Sequence, residues 1–196
     1  TSSSLESAER VPQAGNPRVL VDLTNPESIQ VLINYLLESD AKVDGIVNAT
    51  GVVAFGNFTD LTSETLQKLF AVNTTGPIAL IQGLLPLLKA SAAAGNDPFI
   101  VNISGVVAES PMAGLAAYSA SKSALYAFDQ AISRELRRDG IRVIDARPGH
   151  TETGLAGRAI AGVAPAFPQG MTAEHVADRI VKAILEDEKD LPSSSF

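Results

Sequence analysis

Tyr118 and Lys122 stand four residues apart in Tyr118-Ser119-Ala120-Ser121-Lys122. If the stretch is helical, an i, i+4 pair lies on one face, one turn apart. A free tyrosine titrates near pH 10, so at neutral pH it is a poor proton donor or acceptor. At roughly 5 Å and an effective dielectric of about 20, an ammonium favours the phenolate by roughly 3 kcal/mol, or about two pKa units. That predicts a tyrosine tuned toward general acid/base work. The same spacing also arises in helices that carry no chemistry, so the rest of the chain has to decide.

Four further polar groups stand in order around it. Ser104 lies fourteen residues before Tyr118, at the end of the apolar run Pro98–Ser104, which reads as a buried strand. Asn73 sits inside a long helical stretch, where asparagine is unfavourable by propensity. Asn48-Ala49-Thr50-Gly51 closes an earlier strand, and Pro148-Gly149-His150-Thr151-Glu152-Thr153 follows a later one. In this order and at these spacings the chain resembles the short-chain dehydrogenase/reductase family over nearly all of its length.

The resemblance implies an NAD(P)-dependent oxidoreductase that interconverts a secondary alcohol and a carbonyl. Tyr118 is then the general acid/base, and Lys122 lowers its pKa and binds the nicotinamide ribose. Ser104 hydrogen-bonds the reacting oxygen. Asn73 kinks its helix and supports a proton path. Asp22 takes the adenine amino group, with the Leu23 backbone beside it. Asn48, Ala49 and Gly51 border the cofactor, Asn48 also tying strands together. Pro148, Gly149, Thr151 and Thr153 hold the nicotinamide end. Thr50 and Thr151 depart from the residues usual in the family. The bland alternatives are a turn and helix cap for Asp22, a structural asparagine at Asn48, and a strand-ending serine at Ser104. His150 reads as a neighbour of the site, and His175 as structural or exposed.

These groups need a scaffold. Short apolar strands are expected at Arg18–Leu23, Gly45–Thr50, Phe99–Ile103 and Ile141–Ala146. Helices are expected after Pro26, from near Glu64 with Thr62 or Ser63 as cap, from about Ala116 to Arg138, and after Thr172. Pro77 and Pro86 should kink the second. Gly154 to Gly170, rich in Ala, Gly and Pro, reads as a flexible lobe, and Leu191–Phe196 as a tail. Strands alternating with helices imply a Rossmann-type, doubly wound α/β fold: a parallel sheet with helices on both faces, in one domain spanning residues 1–196. The glycine-rich turn that cradles a pyrophosphate at a helix N-terminus is not in the sequence. A first strand–helix–strand unit is therefore expected before Thr1 or around it.

Composition narrows the partners. The chain has 196 residues, no cysteine and a formal charge of −7. Disulfides and thiol catalysis are excluded, and the charge argues against nucleic acid and anionic membrane. No metal site is signalled, no apolar run reaches the length of a membrane span, and no signal peptide is visible. A cytoplasmic location is expected. The cofactor is NAD or NADP, with nothing to choose between them. The lobe's Leu155, Ala156, Ala159, Ile160, Val163 and Phe167 point to an apolar substrate. Apolar residues such as Leu84, Leu87, Leu125 and Phe128 on more than one side of the long helices point to a homodimer or homotetramer. Two other classes stay open: a non-catalytic dinucleotide-binding module, and a nucleotide-sugar epimerase or dehydratase, which shares the Tyr/Lys spacing.

Overall fold

A computed structural model describes residues 19–39 and 41–196. The polar stretch Thr1–Gln13 and the expected start of the first strand at Arg18 lie outside the described residues. Four strands form one sheet: β1 (Gly45–Asn48), β2 (Phe99–Ile103), β3 (Arg142–Ala146) and β4 (Asp190–Leu191). They lie side by side in chain order and all run parallel. Among the described residues there are five helices: α1 (Pro26–Glu38), α2 (Ser63–Phe70), α3 (Gly76–Ala93), α4 (Ala116–Leu136) and α5 (Ala173–Leu185). Parallel neighbours need long crossovers, which α2 to α5 supply, whereas α1 precedes β1. Of residues 19–23, only Leu20 makes a β-bridge, and none belongs to this sheet.

Side chains alternate across a strand, so each strand feeds two cores. Ile46, Ile100 and Val143 face one way, into a cluster with Ile29, Leu32 and Ile33 of α1, Ile81, Leu84 and Leu88 of α3, and Leu136 of α4. Val101, Ile144 and Ala146 face the other, against Val176, Ile180 and Ala183 of α5 and Leu191 of β4. Helices thus cover both faces, as the Rossmann-type reading expects. Near-continuous apolar strands such as Phe99–Ile103 suit a sheet buried on both sides.

Local chemistry sets the helix ends. Asn25 accepts from the Glu27 amide ahead of Pro26, Thr62 from Thr65, and Thr172 from His175, each capping a helix start. Gly140 ends the helical stretch after α4 in the left-handed region.

Four expectations change. Leu191 is not in a tail: Asp190–Leu191 adds a fourth strand beside β3. The lobe is not loose. Phe55 N donates to Ala161 O at 2.9 Å, Ile160 N to Val53 O at 2.8 Å, and Met171 N to His150 O at 2.9 Å. Gly162, at φ 71°, lies so close to the Phe55 carbonyl that a Cβ would sit 1.8 Å from its oxygen. The apolar residues read on the long helices are drawn partly into the chain's own core: Leu84 and Leu125 are buried, and Leu87 and Phe128 are half-buried against the first core. Finally, Ser63–Ala93 is one continuous helix of 31 residues, long and apolar enough by length and composition to cross a membrane. Its Leu69, Ile81, Leu84 and Leu88 are buried inside the α/β body.

Candidate active site

A cavity of about 370 Å³ opens where β1, β2 and β3 end. Ligands bind at that carboxyl edge in open α/β sheets. Its wall includes Tyr118 and Lys122 from α4, Ser104 after β2, Ala49 and Gly51 after β1, and Pro148, Gly149, Thr151 and Thr153 after β3. The structure therefore brings nine of the thirteen residues singled out in the sequence to one space. Asn48 and Asn73 stand behind the wall. Asp22 and Leu23 are outside it. Asp22 Oδ1 accepts from the Thr24 amide and hydroxyl at 2.8 and 2.7 Å, which is a turn-forming contact. Those bonds hold its carboxyl below the usual range.

Tyr118, Lys122, Leu125 and Asp129 fall at i, i+4, i+7 and i+11, so one stripe of α4 runs from the cavity into the core. Leu125, Lys122 and Asp129 are all buried. Burial pushes the Tyr118 phenol up to about 12. Burial also lowers Lys122 to about 8, against the opposing pull of Asp145 and Asp129. Lys122 Nζ donates to the Ile103 carbonyl at 2.8 Å. The expected lowering of the tyrosine by Lys122 does not appear in this shift, whose cause is burial.

Asn73 is where the long helix widens. Ala71–Thr75 forms a π-helical turn between α2 and α3, a bulge that recurs at functional sites. The turn aims Asn73 inward, fully buried. Its Oδ1 accepts from Val52 N at 2.9 Å; its Nδ2 donates to Val52 O at 2.9 Å and Ser121 Oγ at 3.0 Å. Thr74 Oγ1 donates to Ser121 O at 2.8 Å. The π turn thus fastens α4 to the loop after β1, and a Cβ on Gly51 would stand 3.4 Å from Lys122 Nζ and 3.5 Å from Asn73 Oδ1.

Ser104 departs from its expected duty. It is fully buried, and its hydroxyl donates to Asp145 Oδ1 at 2.8 Å. A hydroxyl has one donor, so in this arrangement none is left for a substrate oxygen. Gly105, beside it at φ 82°, carries the chain onto the cavity wall.

Three buried charged residues beside the site were not expected from the sequence. Asp145 is a carboxylate inside a buried strand, Arg147 follows two residues later, and Asp129 interrupts the apolar stripe of α4; each is at most 2 % exposed. A charge in an apolar run was the available signal. Register places Asn48 beside Asn102 and Asn102 beside Asp145. Asn48 Nδ2 donates to Asn102 Oδ1 at 2.9 Å, and Asn102 Nδ2 to Asp129 Oδ1 at 2.6 Å. Asn48 thereby ties two strands, as expected. The opposite wall is aromatic: Phe167 stacks on His150 at 4.7 Å between centroids and tilts against Phe55 at 6.1 Å.

The donor set fits the nicotinamide–ribose end of a dinucleotide. It offers an ammonium, a phenol and threonine hydroxyls at strand ends, in a slot with apolar walls.

Residues 6–163 match the family model described as short chain dehydrogenase. A dehydrogenase/reductase SDR family protein 7-like from Anopheles gambiae is 30% identical over 178 residues, covering 87% of this chain and 55% of the relative. The chain spans about half the length of the curated relatives it matches. Among solved structures, a short-chain dehydrogenase from Streptomyces avermitilis is 27% identical with a TM-score of 0.76, over 90% of this chain and 71% of that one. One from Sphingobium yanoikuyae, in complex with NADPH, is 27% identical with a TM-score of 0.74, over 88% and 65%.

Proposed function

The chain belongs to the short-chain dehydrogenase family, and from that premise we propose that it is an NAD(P)-dependent oxidoreductase acting on a carbonyl or secondary alcohol, with Tyr118 as the proton carrier. The observation that supports it most is the convergence of Tyr118 and Lys122 with the ends of three strands on one cavity. The bound dinucleotide supplies hydride transfer. The chain's own residues orient the reactants, keep water out and handle one proton.

The Tyr118 phenol is protonated throughout the physiological range, because burial raises it to about 12. It is thus poised to donate to the oxygen of a carbonyl undergoing reduction. Taking a proton from an alcohol needs the phenolate, which higher pH favours. Lys122 offers its ammonium to the site and is held by the Ile103 carbonyl. Asn73 and Thr74 fix the helix that carries both. Ser104 borders the cavity with its hydroxyl proton committed to Asp145. The aromatic patch of Phe55, His150 and Phe167, with Val53, Leu115 and Leu155, favours an apolar group beside the carbonyl.

Oxidation of NADH and NADPH by the full-length protein over a panel of apolar ketones and charged keto acids tests this. Tyr118→Phe should reduce kcat about a hundredfold or more with little change in dinucleotide affinity. Near-full turnover by that variant overturns the assignment.

A further inference from the structure

Resting on that reading, we propose that Asp129 and Asp145 form a positioning pair behind the site: two buried carboxyls that together hold one proton and one negative charge, Asp145 serving as counter-ion to the Lys122 ammonium. Asp145 lies on the same face of β3 as Val143, and Asp129 reaches that face from α4. Among the described residues, Asp129 Oδ2 and Asp145 Oδ2 are each buried without a hydrogen-bond partner. Such orphaned oxygens are rare and need a reason. Two adjacent carboxylates cannot both stay ionised in a dry interior, and one proton placed between them serves both oxygens.

The donors decide which carboxyl is charged. Asp145 Oδ1 accepts from the Arg147 guanidinium and from Ser104, and both contacts favour an anion. Asp129 Oδ1 accepts only from the neutral amide of Asn102. The proton therefore rests on Asp129. Titration follows the same logic: burial, then the Asp145 charge, push Asp129 up to about 9. Burial also raises Asp145, while Ser104, Arg147 and Asp129 pull it down.

The other charges facing the pair are Lys122 on α4 and Arg147, which follows β3 directly. Arg147 is in turn paired with Glu109 from the loop after β2 and with Asp190 of β4, and it lies 4.4 Å over the Tyr126 ring. Glu109 and Asp190 thus belong to Arg147, which leaves Asp145 as the anion that also serves Lys122. A lysine this buried without a counter-ion gives up its proton more readily.

Two spectroscopic measurements read the pair directly. Infrared spectra of aspartate carboxyl-13C protein at pH 7 should show a neutral-acid carbonyl band that vanishes in Asp129→Asn. In lysine ε-13C NMR, Lys122 should titrate near pH 8, and Asp145→Asn should lower that midpoint by about one unit or more, with a smaller change in Asp129→Asn. The alkaline limb of kcat/KM for carbonyl reduction should move with it. Absence of the acid band in the wild type, or a Lys122 midpoint unmoved in Asp145→Asn, overturns the proposal. Should Asp145→Asn not fold, the wild-type band and its loss in Asp129→Asn decide alone. Both spectra are taken on the free protein, so failure to reduce any carbonyl would reject the oxidoreductase reading without touching them.

Discussion

A tyrosine whose proton is held to about pH 12 and a lysine that releases its own near pH 8 make the site asymmetric in pH. In the proposed reaction, carbonyl reduction uses the phenol as it stands, so Tyr118 places no limb on the neutral range. Lys122 does: its ammonium is fully present below about pH 8 and fades above it. We expect kcat/KM for reduction to fall with a midpoint near 8, and Lys122→Arg, which stays charged, to give low turnover without that limb; a pH profile from 6 to 10 checks both. Stability has its own pH dependence. Asp129 is raised in the folded protein, so its contribution is complete below the unfolded value near 3.8 and lost as pH climbs toward about 9. Lys122 is lowered, so its contribution changes only above about pH 8, and there in the opposite direction. Between pH 5 and 8 the wild-type melting temperature should decline, and Asp129→Asn should flatten that decline in a calorimetric series.

At the level of elements, the helix Ser63–Ala93 shows what a sequence pattern reveals and what it conceals. The Thr62 cap and the inward place of Asn73 were readable, because capping residues and apolar stripes have local signatures. The π turn was not: widening a helix by one residue leaves the polar and apolar spacing almost unchanged. Nor was β4 readable, since two residues in a polar tail carry no alternation. The Ala/Gly/Pro content of the lobe suggested looseness because composition is blind to backbone pairing with Val53 and Phe55. Asn73→Ala removes three hydrogen bonds and leaves the half-buried Val52 amide and carbonyl without that partner. It should cost about 2–4 kcal/mol, measurable by urea denaturation. Gly162→Ala must move the Phe55 carbonyl, so limited proteolysis should cut the lobe faster in that variant than in the wild type.

Across the whole molecule, parallel strands in chain order bring residues far apart in sequence to one edge. That is why the ordered motifs could be read from the sequence and the polar seam could not. Each motif lies on one segment, whereas Asn48, Asn102, Asp129 and Asp145 meet only through register and helix packing. Arg147 closes the far end of the seam, joining β3, β4 and the loop after β2. Removing it takes from Asp145 the guanidinium that its Oδ1 accepts from. Arg147→Met should lower stability by about 3–5 kcal/mol, seen as an earlier midpoint in guanidinium denaturation at unchanged slope.

The lobe is joined to the loop after β1 through main-chain groups: Phe55 N to Ala161 O, and Ile160 N to Val53 O. Main-chain bonds do not depend on which side chains the lobe carries. Apart from Gly162, whose small size the contact demands, residues 155–168 can change side chains and keep these bonds, while the Tyr118–Lys122 stripe on α4 stays fixed. Libraries randomised at Leu155, Ala156, Ala159 and Phe167 should therefore yield folded proteins with altered substrate preference, which makes this lobe a natural place for directed evolution to act.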